Sequence, residues 1–241
     1  KERAFLDHTK TTDIRYNRFA HFGGHSWGID LDDGSSNYRV SNNLCLGMGV
    51  KLREGFCRRV ENNIIVQGFC GFHIWLPGCD DVVARNIIVG TTPFQFIRAN
   101  PSYAQEIDHN LFYADGETPM VTGVGDPKTL ADWQAMGFDE HSSIADPLFV
   151  NPESGDYRVK PDSPALRLGF QNFPMDQFGV KKQEYLREIS NTPRTFSFAS
   201  MWMETSPRRS EAKILWLGAT IKNLSGEAEK SAAGMGTETG V

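Results

Sequence analysis

The sequence predicts an all-β chain built as a right-handed parallel β-helix. Three observations carry this: an asparagine-centred frame that recurs five times, a second short strand after each frame, and no helical segment inside the repeat unit. The frames are "DIRYNRF", "YRVSNNLCL", "RRVENNIIV", "DVVARNIIV" and "QEIDHNLFY", centred on Asn17, Asn43, Asn63, Asn86 and Asn110 at steps of 26, 20, 23 and 24 residues. Three positions before each Asn stands Ile14, Val40, Val60, Val83 or Ile107, and two positions after it stands Phe19, Cys45, Ile65, Ile88 or Phe112. The period is too short for a propeller blade and lacks a leucine-rich signature, so stacked strand-rich coils remain. In such a stack identical positions lie about 4.8 Å apart. The repeated amides can then bond along a ladder, which gives the asparagines a structural part.

The second strands are "WGIDLDDG", "GVKLREG", "GFHIWLPG" and "PFQFIRA". Aligning their apolar positions sends Ile29, Val50, Phe72 and Phe94 inward, with Leu31, Leu52, Ile74 and Phe96 beside them. One outward row is then Asp30, Lys51, His73 and Gln95, and the next is Asp32, Arg53, Trp75 and Ile97. At the strand ends Asp33 falls beside Glu54. Three aspartates in one strand and turn would repel one another if left unpaired. Stacking sets Asp30 next to Lys51 and Asp32 next to Arg53, which is a salt-bridged sheet face on the plainest reading. It also makes a carbohydrate cleft. Asp32, Asp33 and Glu54 are its candidate catalytic carboxylates, because glycosidic cleavage usually needs two carboxyl groups in different protonation states. Asp30, Lys51, Arg53 and His73 are candidate substrate-binding groups, and Trp75 is a candidate stacking surface. Upstream, "HFGGHSWG" adds His21, His25 and Trp27 near the same face, with His25 counted among the binding residues.

Other chemistries find less support. "DLDDGSSN" suggests a calcium loop, but Gly34 stands at the fifth position and no Glu at the twelfth, so the EF-hand pattern fails. No cofactor is expected, with calcium on a looser carboxylate site the single ion entertained. No GxSxG, P-loop or HExxH motif occurs, and no spacing ties a His to Ser35 or Ser36. Cys45, Cys57, Cys70 and Cys79 contain no CxxC pair and read as thiols rather than a zinc site. A net charge of −5 argues against a nucleic-acid partner, and no apolar run is long enough to span a membrane. The chain opens on Lys1 with patterned sequence almost at once, which reads as a piece of a longer protein.

The repeated strands, "DDGSSNY", "KLREGF" and "VENNIIV" resemble the pectate-lyase-like right-handed β-helix proteins of carbohydrate-degrading bacteria, and among them predicted glycoside hydrolases. The resemblance covers roughly residues 1–180. It implies a polysaccharide or oligosaccharide substrate and an extracellular or periplasmic location. "VKLREG" is similar to the Arg-bearing coil of β-helix lyases, which pair Arg with a Lys one coil earlier. Here Asp32 holds that place, so elimination through Lys51 and Arg53 is the runner-up. A carbohydrate-binding β-helix without turnover is the third reading. "IADPLFVNPESGDYRVKPDSPALRLGF", residues 144–170, resembles the stretch that closes such helices.

Between the coils and that stretch, "DPKTLADWQAMG" predicts a short helix with Asp126 as N-cap, Pro127 at the first position and Gly137 at its end. Such an excursion could wall the cleft. Residues 181–212 read as a connector, with "QEYLREI" helical and "TFSFASMWME" a strand. Residues 213–241 resemble the truncated start of a bacterial PDZ domain, with "LWLGATI" as first strand. A peptide partner follows only where that domain is complete.

Overall fold

The computed structural model describes residues 10–20, 27–177, 214–216 and 219–221. Its first unit is a parallel β-solenoid. The first coil holds β1 (Thr12–Arg15), β2 (Arg18–Ala20) and β3 (Trp27–Leu31). The second holds β4 (Tyr38–Ser41), β5 (Leu44–Leu46) and β6 (Gly49–Arg53), and the third β7 (Arg59–Glu61), β8 (Ile64–Val66) and β9 (Cys70–His73). The fourth holds β10 (Val82–Ala84), β11 (Ile87–Val89) and β12 (Phe94–Ile97), and the fifth β13 (Glu106–Asp108) and β14 (Leu111–Tyr113). Like strands stack in parallel into three sheets, β1-β4-β7-β10-β13, β2-β5-β8-β11-β14 and β3-β6-β9-β12.

The turns between strands carry left-handed residues at recurring places. Before the ladder asparagine stand Tyr16, Asn42, Asn62, Arg85 and His109, all with φ between 56° and 60°. After the third strand stand Asp33, Glu54, Ile74 and Arg98, and before the first strand stand Asn37, Cys57 and Asp80, again with positive φ. A left-handed residue without glycine costs roughly 1 kcal/mol. The stack offsets this, because backbone amides at and beside the corner still bond to the neighbouring coil: Tyr16 N–H to Asn42 O at 3.0 Å and Leu44 N–H to Asn17 O at 2.9 Å.

The asparagine ladder forms as expected. Each Nδ2 donates to the next Oδ1, from Asn17 through Asn43, Asn63 and Asn86 to Asn110, at 3.0–3.1 Å. Each backbone N–H from Asn17 to Asn86 donates to the same oxygen. The last amide finds a different acceptor. Asn110 Nδ2 donates to Asp139 at 2.9 Å, and Asn110 N–H donates to Ser142 Oγ at 2.7 Å. Asp139 also accepts from Trp133 Nε1 at 2.8 Å. Ser142 Oγ donates to Asp139 as well, and burial pushes the Asp139 carboxyl up to about 6 against these three donors.

Two expectations about the C-terminal coils change. The helix α1 spans Leu130–Gln134, with Thr129 rather than Asp126 as N-cap. Thr129 and Asp132 form a reciprocal capping box, and Lys128 is held in a bridge to Val121. Trp133 of this helix is buried beside Phe96 and Phe138, so the excursion plugs the end of the core. Thr122 pairs with Gln95 and extends the third sheet past β12. The segment expected to close the helix instead runs along its side. After β15 (Ser143–Ile144), β16 (Phe149–Asn151) and β17 (Asp156–Val159) form an antiparallel pair, followed by α2 (Pro164–Arg167). Val159, Ala165, Phe170, Phe173 and Met175 pack on Leu44, Ile64, Ile87 and Leu111, the outward row of the second sheet. An apolar outward row on a solenoid needs such a cover.

The second unit is Ser190–Val241. In it β18 (Ile214–Trp216) and β19 (Ala219–Ile221) pair antiparallel, so the stretch expected as one strand is two. Two residues separate them, the spacing of a tight hairpin. The rest of the PDZ-like expectation, and the connector helix and strand, lie outside the described residues. Among those described, no helix is long and apolar enough to cross a membrane.

Candidate functional site

The third sheet presents the predicted charged rows, with one correction in register. Lys51 pairs with Gly71, Leu52 with Phe72, and Arg53 with His73, so β9 sits two residues from its expected place. A two-residue slip keeps every side chain on its own face, and alternation cannot detect it. The rows are Asp30–Lys51–Gly71–Gln95 along the strands and Arg53–His73–Ile97 one step on, with Asp32 just past the end of β3. Ile74 becomes the corner residue equivalent to Glu54. The chain then turns Trp75 into the core, where it is 3% exposed and packs 4.5 Å from Phe72 and 5.9 Å from Phe96. Trp75 is therefore a core residue and cannot stack on a sugar.

A different indole occupies the outer face. Trp27 reaches across to the third coil, where a Cβ on Gly71 would come within 2.2 Å of its Cη2. Its ring meets Phe69 and His73 edge-on, at 4.8 and 5.5 Å between centroids. Gly71 thus makes room for the indole where a side chain would have stood. The local sequence signal was a glycine opposite Lys51 in register. His21 and His25 lie outside the described residues.

Under this roof the charges form a chain of contacts. Lys51 Nζ lies 2.8 Å from Asp30 and 3.1 Å from Asp32, with its side chain only 9% exposed. Arg53 Nη1 lies 3.3 Å from Asp32 and 3.4 Å from Asp33. Asp33 therefore has a cation beside it, where the sequence suggested an unrelieved contact with Glu54. Among the described residues no cation pairs with Glu54. The Lys51 hydrogen bond holds the Asp32 carboxyl below the usual carboxylate value, with Arg53 adding to it. Burial opposes the Lys51 charge, but hydrogen bonds to Asp30 and Asp32 overcome it and raise its pKa above the usual lysine value. Burial, then the Lys51 and Arg53 charges, lower His73, so its imidazole is neutral at pH 7. Its Nε2 and the Arg53 Nε are buried without a hydrogen-bond partner among the described residues.

The strand ends are braced from beneath by a pair the sequence reading did not single out. Arg58 and Asp81 are both fully buried. Arg58 Nε donates to Asp81 Oδ1 and Nη2 donates to Oδ2, and Arg58 Nη1 donates to the carbonyl of Arg53 at 2.8 Å. Gly55 leaves the space the guanidinium occupies. Cys45, Cys70 and Cys79 are buried, and burial pushes the Cys45 and Cys79 thiols up to about 12, so neither is a nucleophile.

A second cluster, absent from the sequence reading, lies at the fifth coil. Asp108, His109 and His141 bring one ligand atom each within 4.8 Å of one another, a group that could coordinate a metal ion. His141 reaches it from the turn after the plug helix, 33 residues on, which no local spacing reveals.

No family model, curated protein or solved structure matches this chain.

Proposed function

We propose that the outer face of β3, β6 and β9 is a saccharide-cleaving site and that the chain is a glycoside hydrolase acting on an extracellular or periplasmic polysaccharide. The observation that carries this is the unequal pairing of three carboxylates at adjacent strand ends. Asp32 is held as an anion by Lys51 and Arg53, Asp33 is drawn to Arg53, and Glu54 lacks a described cation. Hydrolysis needs one carboxylate to stabilise or attack the anomeric carbon and one acid to protonate the leaving oxygen. Asp32 and Asp33 suit the first part and Glu54 the second. The Trp27 indole, at the edge of the same face, offers an apolar plane for a sugar ring.

Elimination is less well supported. Its base would be Lys51, which is charged, nearly buried and hydrogen-bonded to two carboxylates. Lyases act on uronates, and this face carries four carboxylates (Asp30, Asp32, Asp33, Glu54) against two cations (Lys51, Arg53), so a polyanion is repelled. The substrate is accordingly a neutral polysaccharide. Incubating the chain with a panel of neutral and uronic polysaccharides separates the readings. Hydrolysis releases reducing ends without ultraviolet absorbance, and the Asp33→Asn and Glu54→Gln variants lose this release while unfolding at the wild-type temperature. An unsaturated, ultraviolet-absorbing product, or binding with no product, would refute it.

A further inference from the structure

We propose that Asp108, His109 and His141 form a binding site for a divalent transition-metal ion of the zinc type, which fastens the plug to the fifth coil. Asp108 closes β13, His109 is the left-handed corner residue after it, and His141 lies in the turn that carries Asp139 and Ser142. The carboxylate is aimed before any ion arrives. Asp108 Oδ1 accepts the backbone N–H groups of His109 at 2.7 Å and His141 at 2.8 Å. Those bonds turn Oδ2 toward both rings, 2.6 Å from His141 Nδ1 and 3.5 Å from His109 Nδ1. The imidazoles lie parallel, 4.9 Å between centroids at 12°. Their Nδ1 atoms thus converge on one oxygen, and the His109 Nδ1 is buried without a hydrogen-bond partner among the described residues.

The three ligand atoms lie within 4.8 Å of one another, so small side-chain shifts close the site on an ion. Bonds of about 2.0–2.2 Å to imidazole and carboxylate put neighbouring tetrahedral ligands roughly 3.3 Å apart. The Asp108–His109 pair already stands near that separation. His141 needs to retreat by under about 1 Å, and it is free to do so because its side chain is 65% exposed. Glu106 Oε1, 4.0 Å from His109 Nδ1, is placed to be a fourth ligand or to hold a bound water. Two nitrogen donors and one carboxylate suit zinc, nickel or cobalt and not calcium, which takes oxygen ligands. Because Asp139 and Ser142 of the same turn cap the asparagine ladder, an ion here would tie the ladder's end to β13.

The test uses the full chain with metal ions alone. Calorimetric titration should find one zinc equivalent, cobalt should give the visible absorption of a low-symmetry nitrogen–oxygen site, and calcium should not compete. Zinc should raise the melting temperature. His141→Ala and His109→Ala should each weaken zinc binding at least tenfold, and His73→Ala should leave it unchanged. Wild-type protein that binds no zinc, or a His109→Ala/His141→Ala double variant that binds it as tightly as wild type, overturns the proposal.

Discussion

His73 shows how one residue reads its whole surroundings. Its own coil gives it little company, yet the stack sets Arg53 on one side, Ile97 on the other and Trp27 against its ring edge. Burial and the neighbouring cations disfavour its protonation, so its folded pKa lies below the unfolded value near 6.5. Below pH 6.5 the unfolded chain takes up a proton that the native one resists. Stability therefore falls as pH drops from about 6.5 through the folded value. His73→Gln should flatten that part of a stability–pH curve, measured by denaturant unfolding at several pH values; an unchanged slope would show that His73 is not so disfavoured. Arg58 poses the opposite case, a charge placed where no solvent reaches. Removing it leaves the Asp81 carboxyl buried without its ionic partner. Arg58→Ala should therefore cost about 3–5 kcal/mol in urea unfolding, far more than loss of the exposed Arg39–Asp13 pair.

At the scale of elements, the sequence was most legible where the pattern repeats. Apolar residues flanking each asparagine located two strands per coil, and the ladder followed from its stacked amides. The register of β9 was not legible, because a shift by two leaves alternation intact, and Trp75 was misplaced with it. Trp27 was seen only as a neighbour, since its reach over Gly71 spans two coils. The ladder's final acceptor, Asp139, carries no asparagine frame to announce it. The Asp108–His109–His141 cluster needs His141 brought back across the plug. Two glycines test the element geometry directly. A Cβ on Gly49 would come within 1.8 Å of the Phe69 carbonyl oxygen, which is backbone and cannot move aside. At Gly71 the obstacle is the far end of the Trp27 indole, which can swing outward. Gly49→Ala should therefore destabilise by more than the usual 1–3 kcal/mol of overpacking. Gly71→Ala should stay within that range and change Trp27 fluorescence. Equal losses in thermal unfolding would mean the two contacts are alike.

At the scale of the molecule, the solenoid assigns its three faces different tasks. The second sheet turns an apolar row outward and is covered by the segment around β16, β17 and α2. The first carries charged side chains, some of them paired between coils, such as Arg39 with Asp13. The third is left with carboxylates, two cations, a neutral imidazole and an indole on one surface. Salt bridges alone explain Asp30, Asp32 and their cations. They do not explain why Glu54 sits without a described cation one coil from Asp33, or why Trp27 is laid beside them. The measurement that bears most directly on a hydrolytic site there compares binding and turnover of one neutral oligosaccharide by wild type and by Glu54→Gln. The account predicts that the variant binds within about threefold of wild type, quenching Trp27 fluorescence on binding, while reducing-end release falls by at least 10²–10⁴-fold, the usual contribution of a general acid. Undiminished release by Glu54→Gln, or wild-type binding that leaves Trp27 unaffected, would contradict it.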